Sequence, residues 1–195
     1  MNKQPLKIIT CSLTPKDKSL AFGNEKILTI RPGTPKDAEK YIEYVNAVAG
    51  ESDNLTFGKG EYRSNIQQQE RIIREFSHAD NELFLIAEID GEIVGNLTFR
   101  AGKRSRNSHV GEFGVSVQKQ YWGMAIGKKM MEYLLSWART TEEVRKINLK
   151  VREDNIPAIK LYEKLGFKKE GVVTREFLIE EKFYNASLMG ICIDP

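Results

Sequence analysis

From residue 27 onward, apolar positions recur with two alternating spacings, every second residue and every third or fourth. Ile27 to Ile30 predicts a short strand, which Arg31-Pro32-Gly33 ends. Thr34 before Pro35 predicts a helix start, because proline at the first helical position gives up an N–H that would be unpaired anyway. Ala38, Tyr41, Ile42, Val45, Val48 and Ala49 then form one apolar stripe. Ser64 is placed to cap a second helix carrying Ile66, Ile72, Ile73 and Phe76. Leu83 to Ile89 and Ile93 to Phe99 read as strands joined by Asp90-Gly91, a pair that tolerates the positive φ of a tight hairpin. His109 to Val117 reads as a third strand. Ile126, Met130, Tyr133, Leu134 and Trp137 mark a helix, and Ile147, Leu149 and Val151 a strand. Ile156, Ile159, Tyr162 and Leu165 mark a last helix that Gly166 stops. Two strands follow, around Phe167 to Phe177 and Phe183 to Ile193, with Glu180-Glu181-Lys182 between them.

The predicted order is β-α-α-β-β-β-α-β-α-β-β, a mixed α/β (α+β) chain with antiparallel hairpins first and a βαβ crossover in its second half. Residues 27–195 are expected to form a single domain. The first 26 residues are irregular, with Thr14-Pro15 and Gly23-Asn24 as turn signals, and predict an arm or an added strand. A hydrophobic content of 41% and a charged content of 29% suit a globular core, and no apolar run approaches the roughly 20 residues that span a bilayer. The polar start and two isolated cysteines, Cys11 and Cys192, lead to the expectation of a cytoplasmic protein without disulfides or membrane contact. Cys192, in the last strand, is expected to be a small core residue. No His/Cys/carboxylate group has metal-ligand spacing, so no metal is expected.

A net charge of +3 gives no ground for nucleic-acid binding. Locally, Arg100, Lys103, Arg104 and Arg106 form either a solvated hairpin loop or a contact for an acidic partner or a ligand's phosphates.

Candidate chemistry concentrates between Val115 and Lys128, where a strand leads through a short loop into a helix. Small residues at 123, 125 and 127 let a ligand approach the backbone, and first-turn N–H groups have no intrahelical partner. With the helix dipole they make a site suited to a pyrophosphate, to which Lys128 and Lys129 add charge. The bland alternative is a plain strand-to-helix turn. No Gly-Lys-Ser/Thr follows, so this is not a Walker loop, and the glycine spacing is wrong for a dinucleotide fingerprint.

Gln120-x-x-Gly123-x-Ala125 matches the Gln/Arg-x-x-Gly-x-Gly/Ala motif of the GNAT acetyltransferases. Asn155-Ile-Pro-Ala158-Ile-Lys-Leu-Tyr162-Glu-Lys-Leu-Gly166-Phe167 matches the same family's Asn-x-x-Ala-x-x-x-Tyr-x-x-x-Gly-Phe. On both motifs the chain resembles the GNAT superfamily over about residues 27 to 193. His109-Val-Gly-Glu112-Phe-Gly-Val and Tyr184-Asn-Ala-Ser-Leu-Met189 resemble its amino-acid, polyamine and ribosomal-protein branch. The resemblance implies a central mixed, mostly antiparallel sheet flanked by helices. It implies acetyl-CoA as co-substrate, with direct transfer to a primary amine of an amino acid, polyamine or protein in a ternary complex. A homodimer is a further family-based expectation.

The resemblance also implies roles. Val115 and Val117 would hold acetyl-CoA through their backbone, like an added strand, where the sheet splays open. The N–H groups of Gln120, Tyr121, Trp122, Gly123, Met124, Ala125, Ile126 and Gly127 would take the pyrophosphate, although Trp122 stands where many relatives carry Arg or Lys. Asn155 would bind the pantetheine arm or fix the adjacent strand, and its position equally suits a helix cap. Tyr162 would be the general acid that protonates the leaving thiolate, against the plainer reading of a core tyrosine. Glu112 would be the base, directly or through a water, with burial among Val110, Phe113 and Val115 raising its pKa; otherwise it orients substrate or forms a structural ion pair. His109 is the alternative base. Glu176, Glu180 and Glu181 either attract a cationic amine or form a solvated turn. Two other functions are disfavoured: an acyl-CoA-binding regulatory module without turnover, against which Tyr162 and Glu112 beside the loop argue, and a nucleic-acid-binding protein using the 100–106 segment, which lacks interleaved aromatics and a known binding motif.

Overall fold

A computed structural model describes residues 8–13 and 26–194. The turn signals at Thr14-Pro15 and Gly23-Asn24 lie outside the described residues. Among the described residues, eight strands and four α-helices follow one another as β1 (Ile9–Leu13), β2 (Lys26–Pro32), α1 (Ala38–Ala49), α2 (Ile66–His78), β3 (Glu82–Ile89), β4 (Glu92–Ala101), β5 (Val110–Val117), α3 (Ile126–Thr140), β6 (Lys146–Arg152), α4 (Ile156–Lys164), β7 (Lys168–Ile179) and β8 (Lys182–Cys192). One sheet contains all eight strands in the order β1-β2-β3-β4-β5-β6-β8-β7. Every neighbouring pair is antiparallel except β5 and β6, which α3 connects as a crossover.

Alternation along the strands divides the apolar residues between two cores. Leu85, Leu97, Phe99, Phe113, Ile147, Leu149 and Met189 face α3 and α4 in the larger one. Phe84, Ile86 and Ile93 face α1 and α2 in the smaller one, against Tyr41, Tyr44, Val45, Ile73 and Phe76. The stripe foreseen for α3 lies in the larger core, and Ala38, Tyr41, Val45 and Val48 of the α1 stripe lie in the smaller one, whereas Ile42 is only half-buried and joins neither. The cap of α2 is Asn65 rather than Ser64: its side chain accepts from Gln68 N at 2.8 Å, and Gln68 reaches back to Asn65 N at 3.0 Å. Cys192 is exposed rather than a core residue, because Met189 and Ile191 turn toward the larger core and alternation leaves Cys192 on the other face of the sheet.

Gly111 is a point of close approach. A Cβ there would lie 2.3 Å from Phe99 Cζ and 2.5 Å from the carbonyl oxygen of Arg100, and that backbone atom is fixed by its ladder. Gly111→Ala is therefore expected to cost about 1–3 kcal/mol, as overpacked core sites do. Urea unfolding reads this as a lowered midpoint at constant m-value; an unchanged midpoint would mean that the β4–β5 ladder yields without cost.

Candidate active site

The parallel pair β5–β6 holds for only three rungs, Val110↔Lys146, Gly111↔Ile147 and Glu112↔Asn148. Past Glu112 and Asn148 the two strands separate, leaving a fork. β4 continues to pair with β5 as far as Val117, so only the β6-facing edge of β5 is open. Hydrogen bonds at both ends of β5 fix which residues face that opening. His109 O accepts from Arg145 N and Lys146 N on the β6 side, whereas Val110 O accepts from Gly102 N and Gln118 N donates to Val94 O on the β4 side. By alternation, Phe113, Val115 and Val117 turn their N–H and C=O groups into the fork. One of these is engaged: the indole Nε1–H of Trp122 donates to Val117 O at 2.7 Å.

The loop after β5 narrows the anion-binding donors foreseen from sequence. Tyr121 N, Trp122 N and Met124 N already donate to Gln118 O, Lys119 O and Tyr121 O, so these three are not available to a ligand. Gly123 and Ala125 take positive φ values of 78° and 61°, which turn the chain into α3. The N–H groups of Ala125, Ile126, Gly127 and Lys128 are left at the helix start without an intrahelical acceptor, at the positive end of the dipole. A Cβ on Gly127 would touch only Val117 Cγ2, at 3.9 Å, so the space between α3 and the fork is open. An extended chain lying along β5 would run directly onto these donors. The basic segment does not join this site. Lys103, Arg104 and Arg106 are exposed at the opposite end of β5, roughly 25 Å of strand away, and Arg100 packs over the Phe76 ring at 4.0 Å.

Tyr162 and Glu112 meet at the fork from opposite faces of the sheet. Tyr162, on α4, is 9% exposed, with its ring edge-on to Phe113 at 6.0 Å and to Phe167 at 6.1 Å. Burial pushes its phenol up to about 12. Among the described residues the hydroxyl has no hydrogen-bond partner. Glu112, next to Phe113 in the strand, points the other way and is exposed. This corrects the expectation that Val110, Phe113 and Val115 bury it: Phe113 and Val115 belong to the opposite face and pack with α3 and α4. His109 is exposed just before β5, at its closed end. Asn155 caps α4, accepting from Ala158 N at 3.3 Å, which leaves its Nδ2 unengaged among the described residues.

Several residues at the fork escaped the sequence. Lys150 lies one same-face step beyond Asn148 on β6, and its Nζ donates to Glu176 Oε1 at 2.7 Å. Tyr44 OH pairs with Ser116 Oγ at 2.8 Å. The segment after α1 ties both arms of the fork together: Glu51 Oε2 accepts from Lys119 N at 2.7 Å, and Asp53 O accepts from Arg152 Nη1 at 2.9 Å. Glu180 and Glu181 form the exposed β7–β8 turn, with φ values of 47° and 61°.

Known proteins resemble this chain in sequence and in fold. An L-amino acid N-acetyltransferase of Escherichia coli, AaaT, is 35% identical over 106 residues, which are 54% of this chain and 65% of that protein. The chain thus spans slightly less than two thirds of that relative's length. An acetyltransferase of the GNAT family from Streptococcus pneumoniae superposes with a TM-score of 0.83 at 32% identity, covering 85% of this chain and 99% of that one. The Salmonella typhimurium protein yncA, determined with its cofactor acetyl-CoA, shares the fold with a TM-score of 0.75 at 16% identity, over 86% of this chain and 95% of that one. Residues 51–167, well over half of the chain, match the acetyltransferase (GNAT) family. With the forked sheet and the bare helix start inside that stretch, the chain belongs to the GNAT acetyltransferase family.

Proposed function

We propose that this chain is an N-acetyltransferase that transfers the acetyl group of acetyl-CoA directly to a primary amine, with both reactants held in the β5–β6 fork. The observation that carries this reading is the continuity of the fork edge with the start of α3. Backbone groups of Val115 and the N–H of Val117 suit the amides of a pantetheine arm. The unpaired N–H groups of residues 125–128 and the ammonium of Lys128 suit the pyrophosphate that follows it.

Tyr162, beside Phe113 at the fork, would then serve the thioester sulfur. Its raised pKa of about 12 keeps the phenol protonated at neutral pH, so it is a proton donor and not a base. A free thiol titrates near 8.5, but the same burial raises the basicity of a departing thiolate, which narrows the gap for proton transfer. As the amine nitrogen bonds to the acetyl carbon, the C–S bond breaks and sulfur takes the Tyr162 proton. Glu112, on the acceptor side, takes the proton that the amine loses, directly or through a water. Holding both reactants in one cleft supplies orientation, the larger part of what aminolysis of a thioester requires.

The reading is tested by following free-thiol release from acetyl-CoA with L-amino acids, spermidine, and peptides bearing a free N-terminus or a lysine. Acceptor-dependent release is expected, with one acetyl group gained by the amine. Acetyl-CoA binding in calorimetry without release across the panel would favour a regulatory module that binds acyl-CoA and does not turn it over.

A further inference from the structure

We infer that Lys150 reads a carboxylate on the acceptor, so that the fork selects zwitterionic α-amino acids over polyamines and peptide amines; this rests on the acetyltransferase reading above. The inference starts from the row of side chains on the sheet face that looks toward α1 and α2. Glu112 and Asn148 face each other across the last β5–β6 rung, and Lys150 follows Asn148 one step further along β6 on the same face. Gly114, the matching step on β5, is exposed, and a Cβ there would have only Thr98 Oγ1 within reach, at 3.9 Å. The floor beyond Glu112 is therefore bare.

Two opposite charges border that floor with hydrogen-bonding capacity to spare. The Glu112 carboxylate has no hydrogen bond or ion pair among the described residues, and an ionised carboxylate only accepts. The Lys150 ammonium has three donors, one of which goes to Glu176. Glu176 thus anchors the ammonium without filling its donor sites, and Lys150 is near enough to Glu112 to feel its charge. An α-amino acid presents the complementary pair, an amine for Glu112 and a carboxylate for Lys150, on one carbon. Spermidine would bring its second charge against a like one. Arg152, the next cation along β6, is not available for this purpose: it is bound to Asp154 and Asp53 O and stacked on Tyr184 at 4.0 Å.

The test compares L-methionine with L-methioninamide, L-alanine with L-alaninamide, and spermidine, each referred to its own free-amine fraction. The wild-type enzyme is expected to prefer each amino acid over its amide by roughly 10-fold or more in kcat/KM, the value of one charge-assisted hydrogen bond. Lys150→Met should bring that ratio to near one through KM for the amino acid, and Lys150→Arg should keep most of it. Acetyl-CoA affinity and Tm should stay unchanged in both variants, which separates substrate reading from a structural role. Wild-type preference for amides, spermidine or peptides would overturn the inference, as would a carboxylate preference that survives Lys150→Met. Wild-type silence with every acceptor of the wider panel would instead bring down the acetyltransferase reading, and this inference with it.

Discussion

Replacing Gly127 by glutamate is expected to lower acetyl-CoA affinity at least about 100-fold while leaving the fold as stable as before or slightly more so. Gly127 is the second residue of α3, and a side chain there meets open space bounded by Val117 Cγ2 at 3.9 Å. The new carboxylate would stand among the N–H groups of residues 125–128, where the pyrophosphate is proposed to bind. Two anions about 4 Å apart at a protein surface repel by roughly 4 kcal/mol, more than the 2.7 kcal/mol that a 100-fold loss requires. The effect on folding has the opposite sign. Glycine inside a helix costs about 0.5–1 kcal/mol, and an acidic side chain in the first turn contributes about 0.3–1 kcal/mol. Calorimetric titration with acetyl-CoA beside a thermal melt distinguishes the two effects. Full affinity in a folded Gly127→Glu variant would remove the start of α3 from the cofactor site. The opposed signs also exclude misfolding as the cause of a loss.

How far this site was legible in the sequence depends on the range of each interaction. The helices of the two cores were legible because their stripes repeat within a few residues, and the β3–β4 hairpin because Asp90-Gly91 is a local turn signal. The strand-loop-helix around Gly123 was legible for the same reason. Its donors were not, because Tyr121, Trp122 and Met124 spend theirs within the loop's own turns. The fork follows from the family resemblance and not from any spacing in the residues, since it is defined by where β5 and β6 stop pairing, a property of residues 36 positions apart such as Glu112 and Asn148. The exposure of Glu112 is hidden in the sequence for a related reason: its chain neighbours Gly111 and Phe113 face the other side of the sheet. Lys150 with Glu176, Lys119 with Glu51, and Arg152 with Asp53 join residues 26, 68 and 99 positions apart, and no spacing announces such pairs.

Tyr162→Phe is expected to lower kcat by about 10²- to 10⁴-fold, the usual value of a positioned general acid, with acetyl-CoA affinity unchanged. The substitution keeps the ring, and with it the edge-on contacts to Phe113 and Phe167 that seat α4 against the fork. It removes only a hydroxyl that has no hydrogen-bond partner among the described residues. A purely structural tyrosine at this position would gain or lose little, because the ring and its contacts remain and the hydroxyl removed makes no hydrogen bond and is not fully buried. The two readings of Tyr162 thus part cleanly: Tm should stay level or rise slightly in either case, while turnover falls only if the phenol donates its proton. A more acidic leaving group sharpens the test. An acetyl thioester of an aromatic thiol departs without proton transfer, so Tyr162→Phe should slow it far less than acetyl-CoA. Equal slowing of both donors would assign the loss to misplaced substrate, and unchanged turnover with acetyl-CoA would return Tyr162 to the core.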